Sequence, residues 1–135
     1  MGYSNAIGIL NKKKDLNCKA LYLTKRNTKT LEHLGKLSVV KITSDNKRAV
    51  KYYDVIIVAV LPNQLKKVLE EIKEVIVPGK HTIISVATGR EILEIEAVLG
   101  KEVPVIRAMP NTAISVGESM TCLSGNDLGN QKMTC

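Results

Sequence analysis

Apolar residues recur along this chain in two patterns, as short continuous runs and as stripes spaced three or four positions apart. Continuous apolar runs of about four to eight residues predict buried strands. Such runs lie at Cys18–Thr24, Ser38–Thr43, Asp54–Val60, His81–Ala87 and Pro104–Met109, with a shorter candidate at Met120–Leu123. The run after Asp54 has no polar position that could face water, so we predict that this strand is buried on both faces.

Helical spacing alternates with these runs. Segment Asn63–Ile76 is the clearest case, because its apolar residues recur at intervals of three and four and form one stripe that can pack on a sheet. Pro78 and Gly79 end this segment. The same spacing predicts shorter helices at Tyr3–Leu10, Thr28–Lys36, Asp45–Tyr52 and Glu91–Leu99.

Strands that alternate with helices at this pitch predict βαβ units and hence a parallel sheet. We therefore predict an α/β fold of the Rossmann-like, doubly wound type. Ser38–Thr43 should lie beside Cys18–Thr24, with the three later strands on the other side. Ligands of such sheets bind beyond the carboxyl ends of the strands, where the winding reverses. The loops that should face one crevice are those after Thr24, Val60, Ala87 and Met109.

Charge is distributed unevenly along the 135 residues. Residues 1–51 carry twelve Lys or Arg against three Asp or Glu, whereas residues 52–135 carry eight against ten. A basic half is typical of a solvated surface, of a site for a phosphate-bearing ligand or of a nucleic-acid binder. The chain has four Tyr and no Phe or Trp, and no aromatic residues lie among the lysines to stack on bases. We expect no nucleic-acid partner.

Several classes of protein are disfavoured by what the chain contains. Cys18, Cys122 and Cys135 form no CxxC pair, which is typical of a reducing compartment and argues against a metal site. No apolar run reaches the ~20 residues that span a bilayer, and no leader pattern is present. The sequence predicts a cytoplasmic protein with no metal and no membrane partner. His33 and His81 are expected to be structural, since no hydrolase or P-loop pattern accompanies them.

The loop after the first run indicates the choice of cofactor. Lys25-Arg26-Asn27-Thr28 contains two cations and no acidic residue. In dinucleotide-binding folds an acidic residue here binds the ribose 2′-hydroxyl of NAD, whereas basic residues accommodate the 2′-phosphate of NADP. A guanidinium grips a phosphate with two hydrogen bonds, so Arg26 is the candidate ligand. The alternative is a charged helix start that binds nothing.

Three other crevice loops have residues that suit a ligand. Val60–Gln64 enters a helix whose N-terminus can contact ribose or pyrophosphate, although any strand-to-helix turn has this form. The loop Ala87-Thr88-Gly89 is small enough for a flat ring to approach the backbone, or simply for tight packing. Arg107–Thr112 ends a strand with polar side chains that donate and accept hydrogen bonds. Its alternative is an ordinary turn.

Together these segments resemble the pyrroline-5-carboxylate reductase family. DNKRAVKYYDVIIVAVLPNQLKKVLEEI, then SVATG, then PVIRAMPNTAISVGESMT follow the order and spacing of that family, up to about Cys122. The MPNT stretch after an arginine is its most specific motif, and the other motifs are shared with related dehydrogenases. Leu61, Thr88 and Ala113 depart from the family's usual Lys, Ala and Pro.

The resemblance implies an NADP site and leaves the catalytic residues unassigned. Gly2 would end the family's GxGNMG turn, which holds the pyrophosphate together with a helix N-terminus. Arg26 and Asn46 would lie near the adenosine 2′-phosphate. The residues implied for the adenosine and ribose are Ala59, Val60 and Pro62. Those implied for the nicotinamide are Ala87, Thr88 and Gly89, and those implied for the hydride-transfer site are Met109, Asn111 and Thr112.

The resemblance further implies that parts of the family's domain are missing here. The usual first strand, central in the sheet, and the first two glycines of GxGNMG would precede Met1. Residues 1–122 would be a dinucleotide-binding domain that is incomplete at its N-terminus. Residues 123–135 would be a polar tail that starts a missing C-terminal helical domain, the part that completes the substrate site and makes the full-length protein a homo-oligomer.

The activity implied is a step of proline biosynthesis, the NADPH-dependent reduction of L-1-pyrroline-5-carboxylate to L-proline. Hydride transfer to an imine needs orientation of two rings rather than a nucleophile, so the chain alone should be inactive. The alternatives are another NADP-linked dehydrogenase of the same topology and a non-catalytic remnant that binds nucleotide or only a partner protein. A basic nucleic-acid binder is the third candidate.

Overall fold

The computed structural model describes residues 2–12, 20–109 and 120–133, which form an α/β fold. The strands are Leu21–Thr24 (β1), Val40–Thr43 (β2), Val55–Val58 (β3), Thr82–Ser85 (β4), Val105–Met109 (β5) and Cys122–Gly125 (β6). The α-helices are Gly2–Asn11 (α1), Glu32–Gly35 (α2), Asn46–Tyr52 (α3), Leu65–Ile72 (α4), Ile92–Leu99 (α5) and Asp127–Met133 (α6). Three 3₁₀ turns flank α2 and α4, at Thr28–Leu31, Pro62–Gln64 and Lys73–Val75.

The strands lie in two sheets. β1 pairs with β2 in parallel, and β3, β4 and β5 pair in parallel in that order, as the alternating pattern predicts. β6 runs antiparallel to β5 and closes the second sheet. β1 and β3 each form the end of their own sheet, and no strand of the described residues lies between them.

The larger core lies between the second sheet and two helices, α4 and α5. The apolar stripe predicted for the first of these helices is confirmed, since Leu65, Leu69 and Ile72 are all buried. Ile95 of α5 and Ile83 of β4 are fully buried against them. Glu91 and Glu94 begin α5 with a reciprocal capping box, which satisfies backbone N–H groups at that helix end.

A smaller core covers the first sheet. Leu31, Leu34 and Val40 are buried there, and Ile7 and Leu10 of α1 pack against them. Helix α3 connects the two sheets. Asp45 caps its N-terminus, because the Asp45 carboxylate accepts the Arg48 N–H at 3.0 Å. Its Val50 is buried in the larger core.

Strand β3 corrects the prediction of burial on both faces. Ile56 and Val58 pack into the core under α4, but Val55 is 58% exposed and Ile57 is 38% exposed. β3 is the end strand of its sheet, and within the described residues only one of its faces is covered. The continuous apolar run therefore predicted the strand correctly and its surroundings incorrectly.

Residues 122–133 pack on the second sheet, and β6 spans the predicted boundary between 122 and 123. Asn126 attaches this segment: its Oδ1 accepts the N–H groups of Val105 at 3.1 Å and Gly129 at 2.7 Å. Its Nδ2 donates to the Val103 carbonyl at 3.0 Å and to Glu96 at 2.9 Å. Part of the segment expected to be a polar tail is thus ordered against β5.

Candidate dinucleotide-binding site

Helix α1 begins against the end of β3. A Cβ atom added to Gly2 would lie 3.2 Å from the Ala59 Cβ and 3.4 Å from its carbonyl oxygen, so glycine permits this close approach. The first N–H groups of a helix have no partner within it and carry partial positive charge. The first turn of α1 has no acidic residue to neutralise that charge. The junction of Gly2 and Ala59 is therefore suited to bind an anion.

The loop after β1 contains two cations in different surroundings, Lys25 and Arg26. The Lys25 N–H donates to the Thr43 carbonyl at 3.2 Å, which brings the loops after β1 and β2 together. The Lys25 ammonium donates to the Thr30 hydroxyl at 3.0 Å. Asn27 caps the following turn by accepting the Lys29 N–H at 3.2 Å. Arg26 is exposed and makes no hydrogen bond within the described residues.

Asn46 is the first residue of α3, close in sequence to the end of β2. Its Nδ2 donates to both carboxylate oxygens of Glu71, at 3.3 and 3.2 Å. The amide nitrogen is thus directed to α4, and the amide oxygen remains as an acceptor. The structure gives Asn46 a role in joining α3 to α4, and its predicted place beside the 2′-phosphate stays a prediction.

The loops after β3 and β4 are adjacent, because the Val86 N–H donates to the Val58 carbonyl at 3.1 Å. Ala59, Val60 and Pro62 are half-buried along the first of these loops. In the second loop Ala87 is buried and Thr88 is exposed. Gly89 has a φ of 68°, a left-handed conformation that favours glycine.

Met109 ends β5 on the same edge and is 45% exposed. It is the register partner of Cys122, an exposed free cysteine. Asn111 and Thr112, the other two residues predicted for the hydride-transfer site, lie outside the described residues. The sequence analysis assigned no role to Ser85, a buried residue whose Oγ accepts the Ala87 N–H at 3.4 Å and supports the turn.

Neither histidine lies among the predicted site residues. His81 is 1% exposed at the start of β4, where its Nδ1 accepts the Val77 N–H at 2.8 Å. His33 contacts Tyr3 at the surface, with its Nε2 at 3.3 Å from the phenol oxygen. The predicted structural role of His81 is confirmed.

Residues 2–12, 20–109 and 120–133 contain neither a metal-ligand cluster nor a membrane-spanning helix. In these ranges no three His, Cys, Asp or Glu side chains lie grouped as metal ligands would. No helix in the same ranges has the length and hydropathy needed to cross a bilayer.

Known proteins resemble this chain in sequence. A family model described as NADP oxidoreductase, coenzyme F420-dependent, matches residues 1–89. Pyrroline-5-carboxylate reductase 1 of Dictyostelium discoideum is 43% identical over 111 residues, which are 82% of this chain and 20% of the relative. The chain belongs to the NADP-binding domains of the pyrroline-5-carboxylate reductase family. It spans less than half the length of the curated relatives it matches.

Solved structures of this family share the fold. The pyrroline-5-carboxylate reductase of Coxiella burnetii superposes with a TM-score of 0.85 at 32% identity, over 98% of this chain and 49% of that protein. The Plasmodium falciparum pyrroline carboxylate reductase, solved with NADP bound, gives 0.79 at 26% identity, over 99% and 48%. The α/β fold with parallel strands thus matches the Rossmann-like NADP-binding domains of these reductases.

Proposed function

We propose that this chain is the cofactor-binding part of an enzyme that reduces L-1-pyrroline-5-carboxylate to L-proline with NADPH. The observation that carries the proposal is the likeness to reductases over nearly the whole chain, including one solved with NADP bound. The close approach of Gly2 to Ala59 supports it independently, because a side chain at Gly2 would occupy part of the space beside the helix N-terminus.

The residues present fit such a cofactor. The N–H groups at the start of α1 would hold the pyrophosphate, and the exposed guanidinium of Arg26 would hold the 2′-phosphate. The buried Ala87 and the left-handed Gly89 would allow the nicotinamide ring to lie close to the backbone. When bound, NADPH supplies the hydride that reduces the imine carbon. The chain's own contribution is orientation, which accelerates a reaction between two bound rings without a nucleophile.

The facing end strands β1 and β3 support the predicted lack of the family's usual first strand. The backbone N–H groups of Leu21 and Lys25 donate to carbonyls on the side of β2. The backbone groups of Tyr22 and Thr24 therefore face away from β2. On β3 the carbonyls of Asp54 and Val58 accept N–H groups of Thr82 and Val86. Because strand positions alternate, the carbonyls of Val55 and Ile57 face away from β4. Two end strands whose outward backbone groups have no strand partner within residues 2–12, 20–109 and 120–133 are what a parallel strand between them would require.

The decisive experiment compares the chain with a chimera. In the chimera, residues 2–122 replace the corresponding part of the Coxiella burnetii reductase, and NADPH oxidation is followed with pyrroline-5-carboxylate. We expect turnover by the chimera and none by the 135-residue chain. Arg26→Ala in the chimera should raise KM for NADPH about tenfold with kcat little changed, because a charge-assisted contact is lost. Lys36→Ala, an equal change of charge at the residue that ends α2, should leave KM unchanged.

Two outcomes would contradict the proposal. One is a folded chimera that binds NADPH but does not reduce the imine. The other is turnover by the chain alone at the rate of the intact reductase.

The broader family model over residues 1–89 favours a second candidate, another NADP-linked dehydrogenase of the same topology. The first of the two outcomes would select that candidate.

A further inference from the structure

Asn46 lies at the same edge of the first sheet as Arg26. The Lys25 N–H donates to the Thr43 carbonyl at 3.2 Å, which joins the end of β1 to the end of β2. Arg26 follows Lys25 directly along the chain. The Thr43 hydroxyl accepts the Asp45 N–H at 3.1 Å, so α3 begins close to the same junction. A phosphate held by the exposed Arg26 would therefore have Asn46 as a polar neighbour.

The Asn46 amide has its orientation fixed by a carboxylate of another helix. Helix α3 packs on both β1 and α4, and the Asn46 side chain is turned toward α4. Its Nδ2 donates to both carboxylate oxygens of Glu71, at 3.3 and 3.2 Å. A carboxylate only accepts hydrogen bonds, so the amide nitrogen must face Glu71 and Oδ1 faces the other way. The side of the amide that is turned away from Glu71 thus presents an acceptor oxygen.

The charge of Glu71 is not neutralised by an ion pair in the described part of the chain. Lys47, the cation next to Asn46, pairs instead with Glu74 at 2.7 Å. Glu71 is exposed, and an exposed carboxyl group is ionised at neutral pH. A phosphate beside Asn46 would therefore meet an acceptor oxygen, together with a negative charge that is hydrogen-bonded to the same amide.

We propose that Glu71 is a specificity-determining residue, which weakens the preference of the cofactor site for NADP over NAD. This role rests on the proposed function, because it concerns the same cofactor. Phosphate oxygens accept hydrogen bonds, so a 2′-phosphate must either face Oδ1 of Asn46 or break the hydrogen bond between Nδ2 and Glu71. The 2′-hydroxyl of NAD can donate to Oδ1 and requires neither. Arg26 and Glu71 thus act in opposite directions on the choice of cofactor.

Fluorescence titration of the 135-residue protein with NADPH and NADH tests this role. Glu71→Ala should bind NADPH about fivefold more tightly than the native chain does, because Nδ2 of Asn46 becomes available to the 2′-phosphate. Its affinity for NADH should change little. Glu70→Ala is the matched control, since this neighbouring carboxylate is also exposed and lies 4.0 Å from Lys66. The control should leave the ratio of the two affinities unchanged.

Two further variants separate an effect through Asn46 from a direct effect of charge. In the background of Asn46→Ala, the substitution Glu71→Ala should no longer strengthen NADPH binding, because the two residues act as a pair. Glu71→Gln removes the charge but keeps an acceptor for Nδ2. It should therefore strengthen NADPH binding less than Glu71→Ala does.

The outcomes distinguish an error about Glu71 from an error about the cofactor site. The role of Glu71 is overturned if Arg26→Ala weakens NADPH binding but Glu71→Ala leaves the ratio of affinities unchanged. It is also overturned if the gain persists in the background of Asn46→Ala, or if Glu70→Ala gives an equal gain. If neither cofactor binds, or if Arg26→Ala has no effect on NADPH binding, the cofactor site is wrong and the role of Glu71 falls with it.

Discussion

At the scale of single residues, His81 shows how one buried side chain joins separate segments. Its Nδ1 accepts the Val77 N–H at 2.8 Å, and its Nε2 lies 3.1 Å from the Val50 carbonyl at the end of α3. The ring is therefore held in its neutral form. Burial lowers the pKa of His81 below its ordinary value of 6.5, and a second ring proton would be directed at the Val77 N–H.

This arrangement predicts a loss of stability in mild acid. Because the pKa of His81 is lower in the folded than in the unfolded chain, its contribution is fully present above pH 6.5. It is lost as the pH falls from there through the folded pKa. Urea unfolding between about pH 7 and about pH 5 should show this decline, and His81→Gln should reduce it. The surface variant His33→Gln should decline like the native chain. An unchanged decline in His81→Gln would contradict the assignment.

At the scale of elements, α6 is held against β5 by the lack of a side chain at Gly129. A Cβ there would collide with the Val105 carbonyl. Gly129→Ala should therefore lower the free energy of unfolding by about 1–3 kcal/mol, as overpacking does. Gly35→Ala is the matched control, because its Cβ would approach only the flexible Cδ1 of Ile42 at 3.1 Å. Equal denaturation midpoints for the two variants would show that α6 does not pack as described.

The exposed face of β3 predicts self-association. Val55 and Ile57 are apolar, exposed and on an end strand, and such strands tend to pair with other chains. The double variant Val55→Thr, Ile57→Thr should reduce concentration-dependent association in sedimentation velocity. Its free energy of unfolding should change by less than about 1 kcal/mol, as surface substitutions do.

Ile83→Ala, at a fully buried position of the next strand, provides the contrast. It should cost about 2–5 kcal/mol of unfolding free energy, because it leaves a cavity in the core. A native chain that stays monomeric at every concentration tested would contradict the account of β3.

The sequence predicted those features that depend on residues close together in the chain. The stripe of α4 and the parallel pairing of β1 with β2 follow from spacing and alternation, and both are confirmed. The exposed face of β3 has no local signal, since an apolar run looks the same whether one or two faces are covered. Helix α6 was missed because Asn126 and Gly129 act through contacts with β5, which is distant in sequence.

At the scale of the whole molecule, the charge asymmetry coincides with the division into two sheets. The basic residues 1–51 contain β1, β2 and the exposed cation Arg26, whereas the slightly acidic remainder contains the second sheet. A basic half raises the local concentration of an anionic ligand and speeds its encounter with the protein. The α1 N-terminus, at the junction with Ala59, is a second place that suits an anion.

The central claim is that this chain binds NADP(H) in preference to NAD(H) through Arg26. Fluorescence titration of the 135-residue protein with NADPH and NADH measures the ratio of the two affinities directly. NADPH should bind at least about tenfold more tightly than NADH, since one charge-assisted contact to the 2′-phosphate separates the two cofactors. Arg26→Ala should abolish this preference and Lys36→Ala should retain it. Equal affinities for the two cofactors, or a preference that survives in Arg26→Ala, would contradict the claim.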